Sequence, residues 1–388
     1  MKKNLFLIAL FAGMLAWSCS SNRQAGPADA EILEEAASRL ERSLQYLNDT
    51  SLNPRNMEDG EIGLVPPRDW TSGFFPGILW MMYDYTGDSV WLAPAHHFTM
   101  NVVEQQYNGG THDLGFMMYC SFGNGYRLTG SPIYREVLVQ SARTLATRFN
   151  PAVGCIRSWD FNGDKWEFPV IIDNMMNLEL LFWATEETGD STFYDIAVRH
   201  AETTLKNHFR EDNSSYHVIS YDTITGEVMK RNTHQGYSDE SAWARGQAWA
   251  LYGFTMTYRE TGDERFLDQA DAIAEFILEH PHLPADKVPY WDFDAPGRPD
   301  TYRDVSAAAI TASALYELSG YRPEKEVEYL EAADQILHAL STTYALDTEK
   351  PVPFLLDHSV GHLPGDSEVD VPIIYADYYY LEALLRRM

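Results

Sequence analysis

Thr188-Gly189-Asp190 and Thr261-Gly262-Asp263 each separate an apolar run from an amphipathic one, and the same punctuation recurs along the chain. Tyr85-Thr86-Gly87-Asp88, Leu128-Thr129-Gly130-Ser131 and Leu318-Ser319-Gly320 share one grammar with them. Each closes a helical run with Gly, the residue suited to a left-handed position just past a helix. Four of the five then supply Asp or Ser, good first caps for the next helix. Apolar residues beyond these turns are spaced by threes and fours, as in Phe266-Leu267, Ala270, Ile273-Ala274 and Phe276-Ile277. The repeat predicts helical hairpins near 30–48, 72–85, 91–106, 112–129, 132–148, 173–188, 192–208, 241–260, 264–280, 306–319, 325–342 and 371–387. The helix before each Gly turn is apolar on most faces, and the one after it is amphipathic. Six apolar helices ringed by six amphipathic ones form an all-α (α/α)6 barrel, a six-hairpin toroid in a single domain over 29–388. Strand patterns are scarce, around 216–229 at most.

Connections sharpen the picture. Each apolar helix leaves through a short turn, whereas long loops at 149–172, 209–240, 281–305 and 343–370 lead into the apolar helices. In a toroid the inner helices run parallel, so their N-termini and these loops share one mouth, and function concentrates on loops held by a rigid scaffold. The six inner starts carry Trp70-Thr71-Ser72, His112-Asp113, Asp173-Asn174, Ser241 to Trp249, Asp304-Val305-Ser306 and Asp370-Val371-Pro372. Arg245 and Trp249 are four apart and share a helix face. Core packing is the plain reading for Trp243. For Arg245 the plain reading is a buried partner for an inner-helix acid.

Asp113 and Asp173 each open an apolar run, and the ordinary reading of such an Asp is a helix cap. Two carboxylates on separate elements are also the usual equipment for acid/base work on a sugar. A helix N-terminus favours the charged carboxylate. A general acid at neutral pH therefore needs burial or a neighbouring carboxylate to oppose that. Asp173 is read as the proton shuttle and Asp113 as the group that tunes or orients it.

Composition bounds the partners. The net charge is −28, which argues against nucleic acid or a heparin-like polymer along the surface. A small acidic ligand needs only a local cluster of donors. The aromatic share of 13% supplies stacking platforms as well as core. No Cys/His cluster has metal-ligand spacing, so no metal is expected. Cys120 and Cys155 make no disulfide framework, and a buried free thiol suits Cys120. Lys2 and Lys3 precede an apolar run from Leu5 to Trp17 that is too short to span a bilayer. The run closes on Leu15-Ala16-Trp17-Ser18-Cys19. That resembles a lipoprotein leader over 1–18, with Cys19 lipidated and a tether over 19–28. The expectation is an exported chain, periplasmic or anchored in the outer membrane of a Gram-negative bacterium, touching membrane only through that anchor.

Five motifs together resemble the unsaturated glucuronyl hydrolases of glycoside hydrolase family 88. They are Arg68-Asp69-Trp70-Thr71-Ser72-Gly73-Phe74-Phe75-Pro76-Gly77, His112-Asp113-Leu114-Gly115-Phe116, Asp173-Asn174-Met175-Met176-Asn177, His234-Gln235-Gly236-Tyr237 and Ala244-Arg245-Gly246-Gln247-Ala248-Trp249. The resemblance covers nearly the whole mature chain and implies an (α/α)6 barrel. By motif, Asp173 matches the family's general acid/base and Asp113 its second essential carboxylate. Trp70, His112, Gln235, Arg245 and Trp249 match sugar-contacting positions, and Trp159 and His217 match by spacing within loops. The implied reaction hydrates the C4=C5 bond of a terminal unsaturated uronic acid on lyase-generated, glycosaminoglycan-type oligosaccharides. It needs no metal or organic cofactor, and Arg245 with helix N-termini would hold the substrate carboxylate. Rival readings are unsaturated rhamnogalacturonyl hydrolysis of pectin fragments, a sugar 2-epimerase using His112, His217 and His234, and a glycan-binding lipoprotein without catalysis.

Overall fold

The computed structural model describes residues 27–388; the leader over 1–18, Cys19 and the tether up to Gly26 lie outside the described residues. Outer and inner helices alternate along the chain. Outer α1 (Pro27–Leu44) is followed by inner α2 (Phe74–Thr86) and outer α3 (Leu92–Asn101). The second inner helix is a π-helical segment, Gly115–Gly123, running into α4 (Asn124–Thr129), with outer α5 (Pro132–Ala146) behind it. The third is a 3₁₀ turn, Ile172–Asn177, leading into α6 (Glu179–Thr188), with outer α7 (Ser191–Asn207). Then come inner α8 (Ala244–Thr261), outer α9 (Glu264–Glu279), inner α10 (Val305–Ser319), outer α11 (Glu326–Thr342) and inner α12 (Ile374–Arg387). Each inner helix packs on the next, and α12 returns to α2, which closes the ring. The α1 helix begins at Pro27, two residues inside the expected tether.

The Thr-Gly-Asp grammar works as a unit. Gly87, Gly130, Gly189 and Gly262 are left-handed, with φ of 65°, 63°, 74° and 65°. Asp88, Asp190 and Asp263 then cap the helices after them by accepting from the N–H two residues on. The threonine, which carries no obvious task in the sequence pattern, ties both sides. Thr188 Oγ1 donates to the Ala184 carbonyl and accepts from the Asp190 N–H, and Thr86 and Thr261 repeat this. Gly320 departs from the rule, with φ −70°. The chain there spreads its reversal over residues 320–325 before α11, so no single left-handed residue is required. Ser131 starts its helix without a side-chain cap.

Inner helices approach closely where side chains are smallest. A Cβ on Gly115 would stand 2.5 Å from Asn177 Cα, and one on Gly73 would stand 2.3 Å from the carbonyl oxygens of Phe116 and Met117. These contacts set α2, the π segment and the 3₁₀ turn side by side at the mouth. Cys120 and Cys155 are both buried free thiols.

More strand is present than expected. The hairpin of β1 (Asn53–Glu58) and β2 (Glu61–Val65) turns at Asp59-Gly60, both with positive φ. Asp-Gly is a strong hairpin cue that the apolar pattern obscures. Next come β3 (Phe149–Asn150) with β4 (Cys155–Ile156), then a sheet of β5 (Pro169–Ile171), β6 (Val218–Tyr221) and β7 (Val228–Asn232). A last hairpin joins β8 (Ser359–His362) to β9 (Ser367–Val371). Only β6 and the start of β7 fall in the expected window. The others are short, and they are held by tertiary contacts rather than by their own alternation.

Candidate active site

A cavity of about 330 Å³ opens where the inner helices begin. Trp70, His112, Asp113, Trp159, Asp173, Gln235 and Arg245 line it, drawn from separate stretches of chain. His217, just before β6, stands directly behind Asp173, its Nε2 3.8 Å from Asp173 Oδ2.

Neither aspartate side chain caps its helix. Asp113 accepts from the Thr111 hydroxyl at 2.6 Å through Oδ2, and His112 Nε2 lies 3.2 Å from Oδ1. Thr111 immediately precedes the His112-Asp113 motif, so its place beside Asp113 was open to inspection in the sequence. Asp173 is buried at the start of the third inner helix, and its Oδ2 has no hydrogen-bond partner. Burial pushes the Asp173 carboxyl up to about 7; the Asp113 charge adds in the same direction and Arg245 opposes it. Burial thus outweighs the stabilisation a helix start gives a carboxylate.

Histidines around the pair are held neutral. Burial drives His217 well below the ordinary imidazole value, with His234 and Arg245 adding to it. His234 is brought down to about 4 by burial, His362 and Lys165. Burial also lowers His112, against the pull of Asp113. His217 Nδ1 accepts from the backbone N–H of both His234 and Gln235, each at 3.1 Å. Its proton therefore sits on Nε2, facing Asp173.

Arg245 is almost wholly buried, and its guanidinium donates to Asp304 Oδ2 at 3.0 Å, to the Gly361 carbonyl at 2.6 Å and to the Val360 carbonyl. The plain reading, a partner for an inner-helix acid, describes it: Asp304 caps α10 and takes the charge. What it holds in this structure is β8, not an open anion site. Gln235 adds a bond from Nε2 to the Gly361 carbonyl at 3.0 Å.

Trp249 requires a correction. It is fully buried against Phe116 and Tyr379, behind the cavity wall, and does not line the cavity. Its helix face is shared with Arg245 as expected, but one turn further along α8 carries it below the floor that Phe116 makes. Trp243 packs beside His217 with ring centroids 4.5 Å apart, as a core residue.

Several wall residues have no local signature in the sequence. Arg55 on β1 forms a two-bond pair with Glu368 on β9, at 2.7 and 2.6 Å, and a third bond to Asp69 at 2.7 Å. Arg55 and Glu368 lie 313 residues apart, so no nearby pattern reveals the pair. Tyr375, at the start of α12, brings a buried hydroxyl without a partner. Trp159 Nε1, His217 Nε2 and Asp173 Oδ2 are likewise buried and unpartnered. An unpaired buried polar atom costs about 1–3 kcal/mol. Asp173, Trp159 and Tyr375 line the cavity, and His217 stands behind Asp173.

Comparison with known proteins agrees with this geometry. The family model described as Glycosyl Hydrolase Family 88 matches residues 48–352. An unsaturated glucuronyl hydrolase of Formosa agariphila is 47% identical over 396 residues, covering 100% of this chain and 98% of the relative. The crystal structure of an unsaturated glucuronyl hydrolase specific for heparin superposes with a TM-score of 0.86 at 50% identity, over 92% of this chain and 97% of that one. The Bacillus sp. GL1 unsaturated glucuronyl hydrolase, responsible for glycosaminoglycan degradation, superposes at 0.87 with 34% identity, over 92% and 96%. An (α/α)6 barrel with a carboxylate pair at the mouth, matched over most of its length, makes this chain a member of glycosyl hydrolase family 88.

Proposed function

We propose that the chain removes the terminal 4,5-unsaturated uronic acid from glycosaminoglycan-type oligosaccharides left by polysaccharide lyases. The observation that carries the reading is the Asp173 carboxyl: buried, unpartnered at Oδ2, facing the cavity, and raised to about 7. Such a group holds a proton near neutral pH and can also take one back. The names of the relatives, among them enzymes acting on heparin or glycosaminoglycan fragments, support the substrate class.

In this reading Asp173 delivers its proton to C4 of the C4=C5 double bond. Positive charge develops at C5 and is shared with the ring oxygen. Water adds to C5 and gives its proton to Asp173, which restores the acid. The hemiketal formed opens, and the C1–O bond to the next sugar is released. His217, behind Asp173, points Nε2–H at its carboxyl and steadies the carboxylate while it is charged. Asp113, held by Thr111 and His112, raises the proton affinity of Asp173 by its charge. Trp70 supplies an aromatic wall, packed on Tyr375 and Phe116.

The test is incubation with lyase-generated unsaturated disaccharides, with the ultraviolet absorbance of the conjugated double bond monitored over time. Absorbance loss in the parent that is abolished in Asp173→Asn supports the reading. Binding without absorbance loss would make the chain a glycan-binding protein instead.

We also read residues 1–18 as an export leader and Cys19 as the lipid-bearing residue, on the strength of Leu15-Ala16-Trp17-Ser18-Cys19. Membrane-fraction activity that becomes soluble in Cys19→Ser supports this; a soluble parent protein would end it.

A further inference from the structure

The cavity at the mouth has a larger neighbour. A space of about 550 Å³ lies toward the other end of the bore, where the inner helices finish, and Asp84, Arg127 and Arg386 from the last turns of α2, α4 and α12 reach its wall. Phe116 lines both cavities, so its ring stands between them. The proton transfers make no use of this second space.

Its charges do not balance. Arg259 on α8 pairs with Glu179, Glu260 and Glu317, and Arg386 on α12 pairs with Glu317 and Glu382. Four carboxylates thus share two guanidiniums, which leaves an excess of two negative charges. Asp84 and Arg127 cancel each other at 2.8 Å, and Arg135 answers Glu187 behind Tyr126. The exposed Glu186 on α6 acts on the Tyr119 hydroxyl and adds to the excess. Burial raises the Glu179 carboxyl to about 7 against the pull of Arg259, with Glu260, Glu382 and Glu317 adding to the rise. This end of the barrel is short of positive charge.

A second feature is independent of the charges. Tyr379 is 2% exposed and lines this cavity, yet among the described residues its hydroxyl has no hydrogen-bond partner. The groups whose charge acts on that hydroxyl, Cys120, Tyr252, Tyr378 and Glu382, all line the same space. A buried hydroxyl left unpaired calls for a hydrogen-bonding partner. Seven aromatic residues among the described ones line the wall, and such rings accept both a cation and a carbon chain. Among the described residues no group of three or more His, Cys, Asp or Glu could hold a metal ion, so an organic cation is the better fit. A quaternary ammonium has no N–H to give the hydroxyl, whereas a primary ammonium carries three donors.

We propose that this cavity is a binding site for a small primary alkylammonium ion, held by the carboxylates of Glu179 and Glu382 and by the Tyr379 hydroxyl, with its carbon chain along the aromatic wall. The site stands apart from the function proposed above and does not depend on it.

The experiment is titration calorimetry of the full chain with 1,4-diaminobutane. The controls are 1,4-butanediol, which has hydroxyls in place of the ammonium groups, and Mg²⁺ as an inorganic dication. The expected result is saturable binding of the diamine, about tenfold or more tighter than the diol, with no competition from Mg²⁺ at equal ionic strength. Glu179→Gln and Glu382→Gln should each weaken it about fivefold or more, and Tyr379→Phe, which keeps the ring, should do so by a similar factor. Asp113→Asn, at the mouth, should bind the diamine as the parent does. Absence of saturable binding, equal affinity for the diol, or displacement by Mg²⁺ overturns the site. So does binding that is lost in Asp113→Asn and kept in the two glutamate variants. Where a glutamate variant melts too low to titrate, Tyr379→Phe decides, and an affinity unchanged there overturns the proposal. None of these outcomes bears on the absorbance assay for the proposed function.

Discussion

His217 Nε2 and Asp173 Oδ2 face each other across 3.8 Å, and neither atom has another hydrogen-bond partner. The separation exceeds a direct hydrogen bond, and both atoms are buried, so the ring acts on the carboxyl through its dipole. Because the Nδ1 of His217 is occupied by two backbone N–H groups, the ring can only donate toward the carboxyl. The imidazole N–H dipole is therefore aimed at the proton-carrying group and favours its charged form.

Asp173→Asn should abolish turnover while stabilising the fold at alkaline pH. An acid whose folded pKa is raised binds its proton more tightly folded than unfolded. Below about 4 both states are protonated and the group contributes nothing. The penalty builds as pH rises toward 7 and is complete above it. Moving a carboxyl from its ordinary range to about 7 is worth on the order of 4 kcal/mol as an upper bound. Thermal melts at pH 5 and pH 8 check this: the variant should gain most at pH 8, with kcat down about 10²–10⁴-fold at both.

The alkaline limb of the kcat/KM profile should fall near pH 7, where Asp173 loses its proton. Because the Asp113 charge helps hold Asp173 high, Asp113→Asn should move that limb to lower pH as well as slow the reaction. A limb that stays in place would mean Asp113 acts only by position.

The helical frame was legible because Thr-Gly-Asp turns are local, and each can be recognised within four residues. Asp113 and Asp173 were legible for the opposite reason: as caps they would have been ordinary, and only the ring geometry made them converge. What escaped was carried by distant pairs. Arg55 with Glu368 and Arg245 with Gly361 join segments 313 and 116 residues apart, where periodicity is silent. Trp249 failed on depth rather than direction, since helical spacing gives a face but not how far down the bore a side chain lies.

Gly115→Ala should damage the site through packing alone. The added methyl would meet Asn177 Cα at 2.5 Å, and Asn177 Oδ1 is the acceptor for the Phe116 N–H at 3.0 Å. Separating these segments should cost about 1–3 kcal/mol, and it shifts Asp113 relative to Asp173. The expected outcome is a lowered melting temperature with kcat reduced more than KM is raised. Gly109→Ala, where a Cβ meets nothing, is the control.

Arg245→Gln should destabilise the chain more than a surface change of the same kind. Asp304 is fully buried, and its charge would lose the guanidinium while the carbonyls of Val360 and Gly361 lose their donors. Breaking a buried pair by removing one member costs about 3–5 kcal/mol. Arg245→Lys should recover little, because a point charge cannot reach three acceptors set around a planar fork. The double variant Arg245→Gln/Asp304→Asn removes the stranded charge and should regain much of the loss in a urea melt. Its activity should stay low, since β8 would still lack the bonds that hold it against the mouth. A double variant no more stable than Arg245→Gln would show that the hairpin tether, rather than the ion pair, carries the energy.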